Sequence, residues 1–289
     1  MLAIPKAPGV RPASRPAEDE RASWPAALEL ELGRRAGKTR LRHARHHGPL
    51  RVQRPFHPEP DGAAHVVVLH PPAGLVGGDR LTVRARVDDG ARALLTTTGA
   101  GKVYRTAGAR AAMETELAVG EGADLEHVPQ EAVVFEGADA RLTTRVALAA
   151  GARFCGWEVV CLGRPACGEG FARGALHLAF EIGREGHPLF VERGRVEGGA
   201  PMLDAAWGLW GRPAFGTMVA TEGEPTAVRE ALAAAHPEAR AAVTRVSGLT
   251  VVRALGRDGT HVRSILEVAR HVVRDAWSRP RVDPAIWRS

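Results

Sequence analysis

Five carboxylates set beside glycine turns and apolar runs are the residues of this chain most suited to chemistry. Asp79 follows "GLVGG", Glu131 and Glu136 flank "AVVF", and Glu158 and Glu169 bracket "VVCLGRPACG". Oxygen donors spread over neighbouring layers can line a polar path for a divalent cation. Two acids at a suitable separation can instead hydrolyse a glycosidic bond. Taken alone, each is equally an exposed or arginine-paired acid.

The other reactive types are less promising. "TTTGAGKVYRT" resembles half of a phosphate loop, but Thr96 stands where the first glycine belongs and Val103 where the magnesium-binding hydroxyl belongs. It is not a nucleotide site. His43, His46 and His47 crowd "RHARHH" among arginines ahead of Pro49 and read as an exposed basic strand or loop. His43 and His47 could share a metal only on a helix. Cys155, Cys161 and Cys167 are odd in number and six apart, which fits neither a disulfide framework nor a paired zinc motif. Cys167 near Glu169 is a soft-ligand candidate, against the commoner buried thiol. Neither a Ser-His-Asp elbow nor HExxH nor a dinucleotide fingerprint is present.

The elements that must position these groups are mostly strands. "LTVRARV", "METELAV" and "RLTTRVALA" alternate apolar and polar residues, so Leu81, Val83, Ala85 and Val87, and their equivalents, face inward. Each is followed by a Gly-Ala turn, at Gly90, Gly122 and Gly151, and then by a second extended segment. A strand–turn–strand unit returning about every thirty residues implies stacked β layers. The expected fold is mainly β, a stacked-strand β-helix-like scaffold with a few α-helices, mostly in the C-terminal third. A short helix is expected from about Thr226 to Ala235, and a longer one over "GTHVRSILEVARHVVRDAW". In the longer helix Ile265, Val268, Val272, Val273 and Ala276 form the apolar stripe, with Arg270 and Arg274 on other faces. "AVTRVSGLTVVRALG" reads as two more strands.

Composition bounds the function. The 289 residues are 45% hydrophobic and 25% charged, with a formal charge of +6 and a pI near 10. This balance favours acidic partners, and the scattered arginines give an evenly basic surface rather than a nucleic-acid patch. No apolar run approaches the ~20 residues of a membrane helix. Residues 1–25 lack the apolar core of a secretory signal and read as a disordered extension, leaving a single domain over residues 26–289. The thiol usage suits a reducing cytoplasm.

Four segments, "HPPAGLVGGDRL", "TTTGAGKVYRT", "LEHVPQEAVVFEGA" and "FCGWEVVCLGRPACGEGF", occur in the order of the successive blocks of the urease accessory protein family UreD, also called UreH. The chain resembles that family from about Leu28 to Arg195 and more weakly beyond. Thr98 and Gly101 depart from its usual T-P-G-A-T-K block. The resemblance implies a cytoplasmic, non-enzymatic β-helical scaffold that binds apo-urease and UreF, through which the nickel GTPase UreG joins. It implies no tightly bound cofactor, transient passage of nickel through a polar interior, and Asp79, Glu131, Glu136, Glu158 and Glu169 as candidates to line that path. Tyr104, Arg105 and Gly163 to Pro165 would hold strand ends.

Two other classes remain. A β-helical carbohydrate-active enzyme would use a carboxylate pair in an aromatic-rimmed groove, but six Trp, one Tyr and seven Phe are few for sugar stacking. A basic nucleic-acid-binding module would show steeply salt-dependent binding.

Overall fold

Gly90, Gly122 and Gly151 adopt φ of 61°, 59° and 65°, a region that glycine enters at little cost. The turns they make lie on top of one another. The Gly90 amide donates to the Glu121 carbonyl at 2.9 Å, and the Gly122 amide to that of Ala150 at 3.3 Å. Each turn therefore supports the next, and the strands on either side are forced into layers.

The computed structural model describes residues 25–288. The extension expected over residues 1–25 lies outside the described residues, except for Pro25, which opens the first strand. A hairpin of β1 (Pro25–Arg35) and β2 (Lys38–His47) precedes the short β3 (Arg51–Val52). The chain then winds through β4 (Ala64–Leu69), β5 (Gly74–Leu75) and β6 (Arg80–Val87), and through β7 (Arg92–Thr97), β8 (Gly101–Val103) and β9 (Ala111–Val119). It continues with β10 (Asp124–His127), β11 (Ala132–Val134) and β12 (Asp139–Leu148), then β13 (Arg153–Leu162) and β14 (Ala175–Arg184). The result is a β-solenoid of about four turns. One parallel stack runs β1-β6-β9-β12-β14 and a second β4-β7-β10-β13, while β5, β8 and β11 pair along a third face that ends on β13. Arg80 lies beside Ala112 and Ala111 beside Ala140, offsets of 32 and 29 residues that equal the spacings of the three turn glycines.

Alternation fills the interior as the pattern requires. Leu81, Val83, Ala85 and Val87 of β6 and Leu117 and Val119 of β9 are buried in one cluster. The outer face is organised too. Register aligns Glu29, Arg84, Glu116, Arg145 and Glu181 in a row across five strands, alternating in sign. Arg84 reaches Glu116 at 2.6 Å and Glu29 at 3.7 Å, and Arg145 reaches Glu181 at 3.4 Å. Opposite charges on neighbouring strands support this parallel register.

The sheet that holds β4-β7-β10-β13 continues beyond β13, and helices cover its outer face. After β15 (His187–Glu197) returns along β14, β16 (Ala214–Ala220) pairs antiparallel with β13. The hairpin of β17 (Arg240–Val246) and β18 (Leu249–Gly256) extends the sheet beyond β16, and the helices α1 (Pro225–Ala235) and α2 (Gly259–Ala276) pack over it. The Asp258 side chain caps α2 by accepting the His261 amide at 2.7 Å. A second cluster, including Trp157, Met218, Val252, Ile265 and Val273, lies between α2 and the sheet. The observed stripe differs from the expected one. Val262, Ile265, Leu266, Ala269 and Val273 are buried, Val268 and Val272 only partly, and Ala276 is exposed. Arg270 and Arg274, expected on other faces, follow Leu266 at four-residue steps and are fully buried.

Candidate functional site

The five sequence-selected carboxylates occupy four separate environments. Asp79 closes the turn after β5, its Oδ2 accepting the Val76 amide at 2.9 Å. It lines a cleft of about 120 Å3 with His70 and Tyr104. Burial draws His70 below its ordinary range, and Asp79 opposes that shift. Glu131 packs against Gly259 at the start of α2, where its Oε2 is buried without a hydrogen bond and lies 3.8 Å from Arg263 Nε. Glu136 and Glu169 are the two that meet. Glu169 Oε1 accepts the Glu136 amide at 3.1 Å, while Arg173 binds Glu136 at 3.1 Å and Arg164 binds Glu169 at 2.5 Å. The Arg164 hydrogen bonds hold the Glu169 carboxyl below its ordinary range. Gly163, at φ 71°, makes the turn that brings Arg164 and Glu169 together. Cys167, the soft-ligand candidate near Glu169, is exposed.

Glu158 is different. Along β13, Phe154, Val160 and Leu162 face the solenoid interior, whereas Cys155, Trp157, Val159 and Cys161 face the helical layer. Alternation therefore points Glu158 inward. Its carboxyl is surrounded by protein, and burial pushes it up to about 8, eased by a hydrogen bond from Thr144 and reinforced by Glu192. Thr144 follows Leu142 on the inward face of β12. Met113, Leu142 and Leu178 stand in one inward-facing row across three strands yet are only partly buried.

The sequence reading missed His127, on the same side of β10 as the interior residue Leu125. It pairs with Gly156, two residues before Glu158. Its Nδ1 is buried without a partner, and burial lowers its pKa to about 4, so the ring is neutral. A neutral imidazole and an adjustable carboxyl are donors that a borderline divalent cation accepts. Among the described residues, no three His, Cys, Asp or Glu side chains converge as a metal site.

A third set was also missed. Where α2 meets the solenoid, Arg270 binds Glu126 at 2.5 Å, and Arg274 bridges Glu126 and Glu59. His65 and Arg279 join Glu59 at 2.7 and 2.9 Å, and Arg153 grips Asp124 through two bonds of 2.7 Å. Burial pushes Glu59 up, but the His65 hydrogen bond and the charges of Arg279 and Arg274 outweigh it and bring Glu59 to about 2. No local signal marks this set, because Glu126 and Arg270 are 144 residues apart.

A solenoid whose acids are mostly tied to arginines, with an apolar core and a clamped helical layer, defines a scaffold rather than a catalytic cleft. Comparison with known proteins agrees. The family described as UreD urease accessory protein matches residues 25–288. A urease accessory protein UreD of Dechloromonas aromatica (strain RCB) is 40% identical, covering 92% of this chain and 95% of that protein. One from Azoarcus sp. (strain BH72) is 46% identical over 81% and 82% of the two chains. The chain belongs to the UreD family of urease accessory proteins, which are maturation factors and not enzymes.

Proposed function

We propose that this protein is a urease maturation chaperone, a cytoplasmic scaffold that binds apo-urease and UreF, receives UreG through UreF, and helps pass nickel to the urease active site. Family membership over all of the described residues carries the maturation role. The inward carboxyl of Glu158, on the strand that pairs with that of His127, supports a part in handling the cation. A carboxyl that keeps its proton to about pH 8 exchanges it readily for a cation and releases that cation again, which suits transfer better than storage. Asp79, Glu131, Glu136 and Glu169 remain candidates for the same path, although Glu136 and Glu169 are occupied by arginines. No helix among the described residues is long and apolar enough to cross a membrane.

The test removes only this reading frame from a urease operon. Folded, nickel-poor and inactive urease that is rescued by restoring the frame is the expected result. Fully loaded urease without it would sink the proposal. Glu158→Ala should then lower nickel content while the accessory complex still assembles.

A further inference from the structure

The fold places the chain's acid-free basic run on a sheet edge. Residues 33–54 contain Arg34, Arg35, Lys38, Arg40, Arg42, Arg45, Arg51 and Arg54, three histidines and no acid. Most of these lie on β2, the outermost strand of the seven-stranded sheet. From Arg42 to His47 every residue is exposed, on both faces of the strand. Among the described residues, only Thr39 uses the outer edge, its amide bonding Gly62 at 2.9 Å and its carbonyl accepting from His57 at 2.7 Å. Beyond it runs a row of backbone donors and acceptors without strand partners among the described residues, framed by cations.

We infer that the outer edge of β2 docks an acidic, extended segment of a protein partner by strand addition. This rests on the maturation-scaffold reading and supplies it with a surface. An unpaired edge offers main-chain hydrogen bonds that only another strand can take in register, and side chains on alternate faces then set the preference. Here that preference is for Glu and Asp, because Arg40, Arg45 and Lys38 have no ion-pair partner among the described residues and only Arg42 is neutralised, by Asp88 at 2.7 Å. Nucleic acid is the other polyanion, but residues 33–54 hold no Phe, Tyr or Trp on which a base could stack. Charge on an edge also serves simply to prevent pairing, and the experiment separates that role from docking.

The full chain would be tested for binding to urease apoprotein and to UreF separately, alongside the double variant Arg40→Glu/Arg45→Glu. Both side chains are exposed, so an unchanged melting temperature certifies the variant's fold. The expected result is binding by the native chain, weakened about tenfold or more in the variant, with slowed amide exchange in β2 when the partner is bound. A native chain that binds neither protein refutes the maturation-scaffold reading itself. Equal binding by both chains, with β2 amides unprotected, overturns the docking edge alone. A variant that loses binding only to a single-stranded DNA oligonucleotide overturns it as well.

Discussion

At the scale of single residues, burial decides which charges matter. Arg193 and Glu181 form a 2.7 Å pair, but Arg193 is 63% exposed, and such pairs contribute about 0–1 kcal/mol. Glu126 is 1% exposed and holds two buried arginines. Removing one partner of a buried pair costs about 3–5 kcal/mol. Urea unfolding should therefore find Glu126→Ala less stable by that amount and Arg193→Ala within about 1 kcal/mol of the parent. Glu158 works in the opposite sense. Folded, it keeps its proton to about pH 8, whereas an unfolded glutamate loses it near 4.5. The folded state then binds the extra proton, so this residue's contribution declines as pH rises between those values. Relative to Glu158→Gln, the parent should lose up to about 1.4 kcal/mol per pH unit across that window. Parallel curves at pH 5, 6.5 and 8 would contradict the burial of the carboxyl. Glu158 was legible as a candidate because it flanks an apolar run. Arg270 and Arg274 were not, since arginines four apart on a helix ordinarily mark its wet face, and their acids lie in distant strands.

At the scale of elements, glycine spacing carried most of what the sequence revealed. Period-2 alternation located β6, β9 and β12, and the turns at Gly90, Gly122 and Gly151 foretold both the stacking and its offsets. The third face escaped notice because β5, β8 and β11 are two or three residues long, too short for a period to show. The turns also differ in what they tolerate. Gly122 has φ 59° and open space where a Cβ would stand, while Gly163 has φ 71° and would place a Cβ 2.3 Å from the Glu169 carbonyl. Alanine in left-handed backbone costs about 1–2 kcal/mol. Gly122→Ala should lose about that much. Gly163→Ala should lose more, since the turn holding Arg164, Glu169 and Glu136 must shift. Equal losses in thermal unfolding would show that this turn is not constrained by its neighbours.

At the scale of the molecule, two apolar clusters are joined by a buried ionic junction. The solenoid holds itself together by hydrophobic stacking and ladder hydrogen bonds, and its acids are largely surface acids. The helical layer and the segment after it are tied to it by Arg270, Arg274 and Arg279 against Glu59, Glu126 and Asp124. Acid should therefore act unevenly. Glu59 is lowered to about 2, so its contribution is complete above about pH 4.5 and lost as pH falls through 2. Protonating it strips charge partners from Arg274 and Arg279, which burial leaves with little water. The exposed pairs on the solenoid's outer face contribute too little for their loss to matter equally. Between pH 4.5 and 2, helical circular dichroism and the buried fluorescence of Trp157 and Trp277 should change before the strand signal does, as a local release of α2. Glu59→Gln should move that release to higher pH. A single cooperative transition, with all signals coincident and unmoved by Glu59→Gln, would mean that apolar packing alone holds the helical layer in place.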